Sequence, residues 1–346
     1  MRVAIVGAGA IARTHLGHLE ALGHEVVAVC DPLPERARAL AAPIGAEVHA
    51  DWRPMLAAVR VDALFVCSPP ASHAGPACAA LERGIPVYLE KPLARSLADG
   101  REIVAAWEAS GCVCAIGYQW RSLDVVAAAR AALAGSPPGL LVSRSFGGTE
   151  PARGDLGAAA AGSWFSDPRQ SGGILFELGS HDIDVQRALA GEVESVQATA
   201  AAGRLALTGR EAAGRHDTVS VALRFRDGGI GAIHVGWTAE GSPSVYTLDV
   251  LASEATLALD LGKAPTLRGR ARGEAVEAAD TVDARLHTHE RFFAAVERGD
   301  PAAVACTPRD ALGTLAVALA CETAIATGGE VEVGTVPGRG LSPGMP

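Results

Sequence analysis

Residues 1–12 read Met-Arg-Val-Ala-Ile-Val-Gly-Ala-Gly-Ala-Ile-Ala, a short apolar strand running straight into Gly7-x-Gly9-x-x-Ala12 and then into a helical stretch. Each small residue has its own reason. Gly7 permits the tight turn, Gly9 has no side chain to hold a pyrophosphate off the backbone, and Ala12 lets the helix pack close to the strand. An anion placed there sits on the helix N-terminus, where unpaired N–H groups and the dipole favour negative charge. The stretch therefore predicts a dinucleotide cradle, with Gly7, Gly9, Ala10 and Ile11 as its contacts.

The next strand strengthens that reading. Glu25 to Cys30 is apolar and ends in Asp31, about 20 residues beyond the glycines, where this kind of fold places an acid on the adenosine ribose. A carboxylate at that point repels a 2′-phosphate, so NAD is favoured over NADP. Arg36 and Arg38 on the following helix are the residues that could relax the choice, and a plain turn residue before Pro32 is the structural alternative for Asp31.

The chain has 346 residues, 49% of them hydrophobic, which predicts two domains with ample cores. No apolar run is read as approaching the roughly 20 residues that cross a bilayer, and Met1 leads directly into the first strand without a charged leader. A cytoplasmic protein with no membrane partner is expected. The net charge is −9 without a basic stripe, which argues against a nucleic-acid partner. The seven cysteines are odd in number and scattered, and read as reduced core residues. Cys112-x-Cys114 has no second pair nearby, so no metal site is expected.

From Met1 to about Gly117 strand and helix alternate: Val3 to Val6, Glu25 to Cys30, Ala46 to Val48, Ala63 to Cys67, Val87 to Leu89 and Cys112 to Ile116. Strands apolar on both faces are those of a parallel sheet covered by helices. This predicts a doubly wound Rossmann sheet over residues 1–120, with ligands at the carboxyl ends of the strands. After Tyr118 comes a helix from about Val125 to Leu133, then strands of period two such as Val219, Val221, Leu223 and Phe225. Asp227-Gly228-Gly229 turns that strand into Ile230 to Trp237, and Tyr246 to Leu251 pairs with Ala255 to Leu259 about Ser253-Glu254. Residues 121–334 are thus read as an α+β domain with an open, mainly antiparallel sheet, carrying late helices at His287 to Glu297 and Pro308 to Thr327. Residues 335–346, rich in Gly and Pro, are read as a flexible tail.

Two further motifs stand at strand ends and beyond. Ser68-Pro69-Pro70 followed by His73 closes the fourth strand, and Glu90-Lys91-Pro92 closes the fifth. Downstream lies Gly172-Gly173-x-x-x-Glu177-x-Gly179-x-His181-Asp182. With the glycine fingerprint, these runs resemble the glucose-fructose oxidoreductase and inositol dehydrogenase family of NAD(P)-dependent sugar oxidoreductases, over nearly the whole chain.

Lysine at a carboxyl strand end, after apolar Val87-Tyr88-Leu89, lies in the cofactor cleft, where it can hydrogen-bond a substrate hydroxyl and stabilise negative charge developing on the oxygen. The resemblance gives Lys91 that role and implies a cis Lys91-Pro92 bond; pairing with Glu90 or solvent is the alternative. His181 lies four residues after Glu177, so on a helix the two share a face. A carboxylate beside an imidazole raises its basicity, which suits a general base. The family usually has aspartate where Glu177 stands, and Asp182 and Asp184 are left open between helix-start and substrate groups. By the same resemblance Ser68, Pro69, His73, Glu90, Lys91 and Gln119 line the cofactor, and Arg121 and Trp164 join Lys91 and His181 at the substrate. An interdomain salt bridge for Arg121 and core packing for Trp164-Phe165 remain open, as does a structural role for His15 and His73. His287 and His289 are read as surface residues.

The combined expectation is a dehydrogenase or reductase acting on a secondary hydroxyl or carbonyl of a sugar, inositol or related polyol, assembled as a homodimer or homotetramer. The alternatives are a cofactor-binding regulator without catalysis and a reductase of a non-sugar carbonyl or imine.

Overall fold

The computed structural model describes residues 1–147, 168–201, 216–238 and 242–334. They fall into two compact units. The first, containing Met1–Ser122 and Val282–Ala311, is built from β1 (Arg2–Val6), α1 (Ala10–Ala21), β2 (Glu25–Cys30), α2 (Pro34–Ala41), β3 (Glu47–His49), α3 (Trp52–Ala58), β4 (Ala63–Val66), α4 (Ala74–Leu81), β5 (Val87–Leu89), α5 (Leu97–Ser110) and β6 (Cys114–Ile116). The strands pair in parallel in the order β3-β2-β1-β4-β5-β6, the doubly wound arrangement the alternation predicts. Every residue of β4 and β5 is buried, as two-sided helix cover requires. The helices start and stop on local chemistry: Ser96 Oγ accepts the Asp99 N–H at the head of α5, and Gly111 ends that helix at a φ of 65°, the left-handed value that suits glycine.

The second unit begins with α6 (Asp124–Ala132) and β7 (Pro138–Gly147). After a short α7 (Pro168–Ser171), which belongs with the first unit, it continues through α8 (Ser180–Ala190), β8 (Val193–Ala201), β9 (Thr218–Phe225), β10 (Ile230–Trp237), β11 (Val245–Ala252), β12 (Ala255–Asp260), β13 (Thr266–Ala271) and β14 (Glu274–Ala279). α9 (Ala284–Arg298) returns to the first unit, α10 (Pro308–Thr327) follows, and β15 (Val331–Glu332) completes the second sheet. That sheet has nine strands in the order β14-β13-β12-β11-β7-β10-β9-β8-β15, all antiparallel neighbours except β10 with β7. β12 alternates buried and exposed along its length, so one face meets the core and the other does not. Both expected hairpins are present, β9 with β10 and β11 with β12.

Two expectations are corrected. α10 is 20 residues long and apolar enough, by length and composition alone, to cross a membrane, contrary to the reading that no run approaches that length. Its most apolar window is 61% buried inside the protein, so the apolar residues serve packing. His289 is not on the surface but fully buried, because α9 lays Phe292, Phe293 and Ala295 into the core of the first unit against Val3, Ile5 and Phe65. The seven cysteines are free, and all but Cys112 are buried.

Candidate active site

In the first unit the strand order reverses between β1 and β4, and the crevice at such a switch point is where doubly wound sheets bind ligands. Gly7 stands there with a φ of 94°, and a Cβ on it would lie 2.6 Å from the Cys67 carbonyl carbon and the Ser68 nitrogen. Both the backbone angle and the neighbouring strand end exclude a side chain. Gly9 differs: a Cβ there would meet nothing within 4 Å. Open space lies above it, and Gly9 caps α1 without a side-chain hydrogen bond while the first turn of α1 carries no acid. The helix-end N–H groups, including those of Ala10 and Ile11, which have no side-chain cap among the described residues, and the room above them fit a dinucleotide pyrophosphate.

Asp31 ends β2, buried, with Oδ2 accepting the Ala8 N–H at 2.8 Å and Oδ1 accepting the Leu33 N–H at 2.9 Å. It thus braces the glycine turn itself, and each oxygen keeps a lone pair for a ribose hydroxyl. Ser68 and Pro69 follow β4 on the far side of the crevice, with the Ser68 hydroxyl directed to the Ser72 carbonyl. His73 is fully buried, its Nε2 2.8 Å from the Ser68 carbonyl oxygen and its Nδ1 3.3 Å from that of Leu93. Burial lowers its pKa against the raising effect of these carbonyls, and the ring lies between the carbonyls that follow β4 and β5.

Lys91 follows β5, half-buried, and its peptide bond to Pro92 is cis. Glu90 beside it is buried, with Oε1 2.8 Å from His15 Nε2 and Oε2 accepting the Lys91 N–H at 3.0 Å. Burial pushes this carboxyl up, but the His15 hydrogen bond and the charges of Lys91 and Arg285 outweigh it and hold the pKa at about 2. Gln119 opens a 3-10 turn after β6. Arg121 in the same turn is buried, 3.7 Å from the Asp310 carboxylate, so the pairing left open for it is an ion pair inside the first unit.

Where the chain passes from the first unit to the second, Gly172 and Gly173 take φ values of 80° and 67°, a turn that needs glycine. The chain then forms a π-helical turn at Leu175–Gly179 before α8. Glu177 and His181 therefore flank a change of helix type, and the simple α-helical face drawn from their spacing does not describe them. Such single π turns recur at functional sites. Both side chains are half-buried, whereas every residue from Asp182 to Ala188 is buried. The two undecided aspartates point into the protein: Asp182 Oδ1 accepts the Ser145 hydroxyl at 3.0 Å, and Asp184 accepts that of Thr314 at 2.9 Å. Burial raises the Asp182 pKa to about 7, against the hydrogen bonds of Ser145 and Ser143. Trp164 and Phe165 lie outside the described residues.

The spacing of motifs did not reveal the contacts of Glu90. Its partner His15 sits mid-helix on α1 and meets His289 of α9, 274 residues away in sequence; no local pattern links them.

Comparison with known proteins gives two family matches: "Oxidoreductase family, NAD-binding Rossmann fold" over residues 1–118 and "GFO/IDH/MocA C-terminal domain" over residues 141–258. The chain is 30% identical to the myo-inositol dehydrogenase Hyg17 of Streptomyces leeuwenhoekii, covering 96% of this chain and 99% of that protein. It is 29% identical to a 1,5-anhydro-D-fructose reductase of Ensifer adhaerens over the same shares. Among solved structures, the WlbA dehydrogenase from Bordetella pertussis in complex with NADH and UDP-GlcNAcA superposes with a TM-score of 0.79 at 25% identity, covering 97% of this chain and 99% of that one.

Proposed function

We propose, because this chain belongs to the GFO/IDH/MocA family of oxidoreductases, that it exchanges a hydride between NAD and the carbinol carbon of a sugar, inositol or related polyol. The observation that carries this reading is Lys91 at the carboxyl end of β5, in the sheet whose β1 end forms an open, uncapped anion cradle. NAD, when bound, supplies the acceptor or donor of the hydride. Gly7, Gly9, Ala10 and Ile11 would hold its pyrophosphate, and Asp31 its ribose. Ser68, Pro69, His73, Glu90 and Gln119 complete the cofactor-binding set.

In the oxidation direction the Lys91 ammonium donates a hydrogen bond to the substrate oxygen and stabilises the charge that grows on it as the C–H bond breaks. His181 takes the hydroxyl proton, and Glu177 orients the imidazole. Reduction runs the same steps backwards. Arg121 and Trp164 are assigned to substrate contacts, Arg121 at reduced reach because Asp310 holds its guanidinium. The reading also takes the protein as cytoplasmic and as a homodimer or homotetramer. Ile230, Leu140 and Leu251 stand in register across β10, β7 and β11. Ile230 and Leu251 are 48% and 45% exposed, an apolar row that a second copy would cover.

The test is a screen of inositols, free sugars, anhydro sugars and nucleotide sugars with NAD and NADP, followed by absorbance of the reduced cofactor. Turnover with one class in the presence of NAD is expected. Dinucleotide binding without turnover on any of them would favour a cofactor-binding regulator instead.

A further inference from the structure

Glu90, His15 and His289 form a buried hydrogen-bonded chain that the reaction as described does not use. His15 and His289 are each fully buried. Their rings meet through His15 Nδ1 and His289 Nε2 at 2.9 Å, and His15 Nε2 reaches Glu90 Oε1 at 2.8 Å. Around them lies an aromatic cage: Tyr88 packs edge-on against both imidazoles at centroid distances of 5.4 and 4.8 Å, and Phe65 does the same at 5.7 and 5.3 Å. Two imidazoles in such surroundings cost more than the phenylalanines that would fill the space, so the chain of polar contacts needs another reason to exist.

The direction of the hydrogen bonds follows from donor and acceptor counting. An ionised Glu90 can only accept, so His15 Nε2 must carry the proton. The His15–His289 contact then runs one of two ways, and where His15 Nδ1 accepts, the proton comes from His289 Nε2–H. That leaves His289 Nδ1 as a lone pair, and among the described residues it has no hydrogen-bond partner. In the reverse order His289 Nδ1 would be a buried N–H without an acceptor, the rarer and costlier condition. Burial, with the nearby His15 and His18, lowers the His289 pKa to about 2, so His289 stays neutral. The charged groups that face the chain are consistent with this polarity. α9 contributes Arg285 and β5 is followed by Lys91, both favouring the Glu90 anion. Asp283 faces His18 on α1. Burial and the Glu90 charge raise the pKa of Cys67 and of Tyr88, and burial lowers that of His73.

We propose that His289 is a positioning residue for Lys91: it sets the tautomer of His15, His15 thereby presents Nε2–H to Glu90, and the fixed carboxylate holds the main chain of Lys91 through its N–H. Glu90 has a second anchoring surface. A Cβ on Gly117, at the end of the neighbouring strand, would lie 3.3 Å from Glu90 Oε2, so the carboxylate spans both strand ends and has little freedom once His15 holds it. The proposal rests on the reading of Lys91 as the group that contacts the substrate oxygen.

The test compares the intact protein with His289→Phe and His289→Gln. Phenylalanine keeps the ring packing and removes the donor, whereas glutamine restores an N–H toward His15 Nδ1. With a polyol found by turnover, His289→Phe is expected to lower kcat by about 10- to 100-fold while NADH affinity by fluorescence titration is unchanged, and His289→Gln is expected to recover most of that loss. Equal kcat in His289→Phe and the intact protein, or equal impairment in both variants, would overturn the proposal. A second readout uses the intact protein alone: long-range proton–nitrogen NMR of nitrogen-15-labelled histidines should show His289 neutral with Nε2 protonated and His15 with Nε2 protonated. The opposite tautomers would also overturn it. Because the NMR readout needs no turnover, a failure of the Lys91 reading, seen as full activity in Lys91→Met, is distinguishable from a failure of the relay.

Discussion

Each unit buries a carboxylate next to the residue assigned to its chemistry, Glu90 before Lys91 and Asp182 after His181, and the two are driven in opposite directions. Both are removed from water, which by itself favours the neutral acid. Glu90 meets an imidazole N–H, a backbone N–H and two cations, and its pKa falls to about 2. Asp182 meets the hydroxyls of Ser145 and Ser143 and a backbone N–H, too little to offset burial, and its pKa rises to about 7. Burial does not decide ionisation; the donors supplied at the site do. The parallel sheet brings strand ends, helix ends and charged side chains to one edge, whereas the inner face of the antiparallel sheet offers α8 a row of small hydroxyls.

The largest expected effect breaks the first unit's edge at its backbone. Gly7→Val would force a branched side chain onto a φ of 94° and into the Cys67-Ser68 main chain. NADH binding measured by fluorescence titration should be abolished; retained affinity would mean that the crevice between β1 and β4 is not the cofactor site.

A direct test of the comparison uses its two carboxylates. Asp182 has a folded pKa raised above 3.8, so its stabilising contribution is full below that value and is lost as pH rises through about 7. Asp182→Asn should therefore stabilise the protein at pH 8, by up to a few kcal/mol, with the gain vanishing as pH falls toward 4. Glu90 has a depressed pKa, so its contribution is present above 4.5 and lost as pH falls through about 2. Glu90→Gln should destabilise at neutral pH by a similar order. Thermal unfolding of both variants across pH would show opposite signs; the same sign in both would undo the contrast.

What was legible in the sequence follows the same division. Strand ends in a parallel sheet are marked by local changes from apolar to Gly, Asp, Ser or Glu, so Gly7, Asp31, Ser68 and Glu90 could each be placed from a few neighbouring residues. Period-two alternation exposed β9 and β10 as readily. The π-helical turn at Leu175–Gly179 was not legible, because one widened turn leaves the residue spacing of Glu177 and His181 unchanged. His289 was misread because its segment, His287 to Glu297, says that a helix exists but not which distant strand its face meets. The apolar length of α10 was missed for a related reason: Arg309, Asp310 and Glu322 interrupt the run to the eye while leaving it apolar on average.

A smaller effect sharpens the account of Asp31, a further buried carboxylate. Its oxygens hold two backbone N–H groups, so Asp31→Ala should weaken NADH binding and narrow the preference for NAD over NADP, as read by kcat/KM with each cofactor. Equal or better use of NADP by the intact protein would contradict the assignment. The smallest concerns the outer face of the second sheet: Leu251→Arg should shift light-scattering mass toward a single chain while changing thermal stability little. An intact protein that is already monomeric at micromolar concentration would remove the oligomer proposal.

The proposed chemistry has Lys91 and His181 acting on the substrate and not on the dinucleotide. Single-turnover hydride transfer, measured with NADH titration for Lys91→Met and His181→Ala, tests it most directly. The account expects transfer slowed by roughly 10²- to 10⁴-fold with dinucleotide affinity nearly unchanged; unaltered transfer in either variant would place the chemistry on other residues.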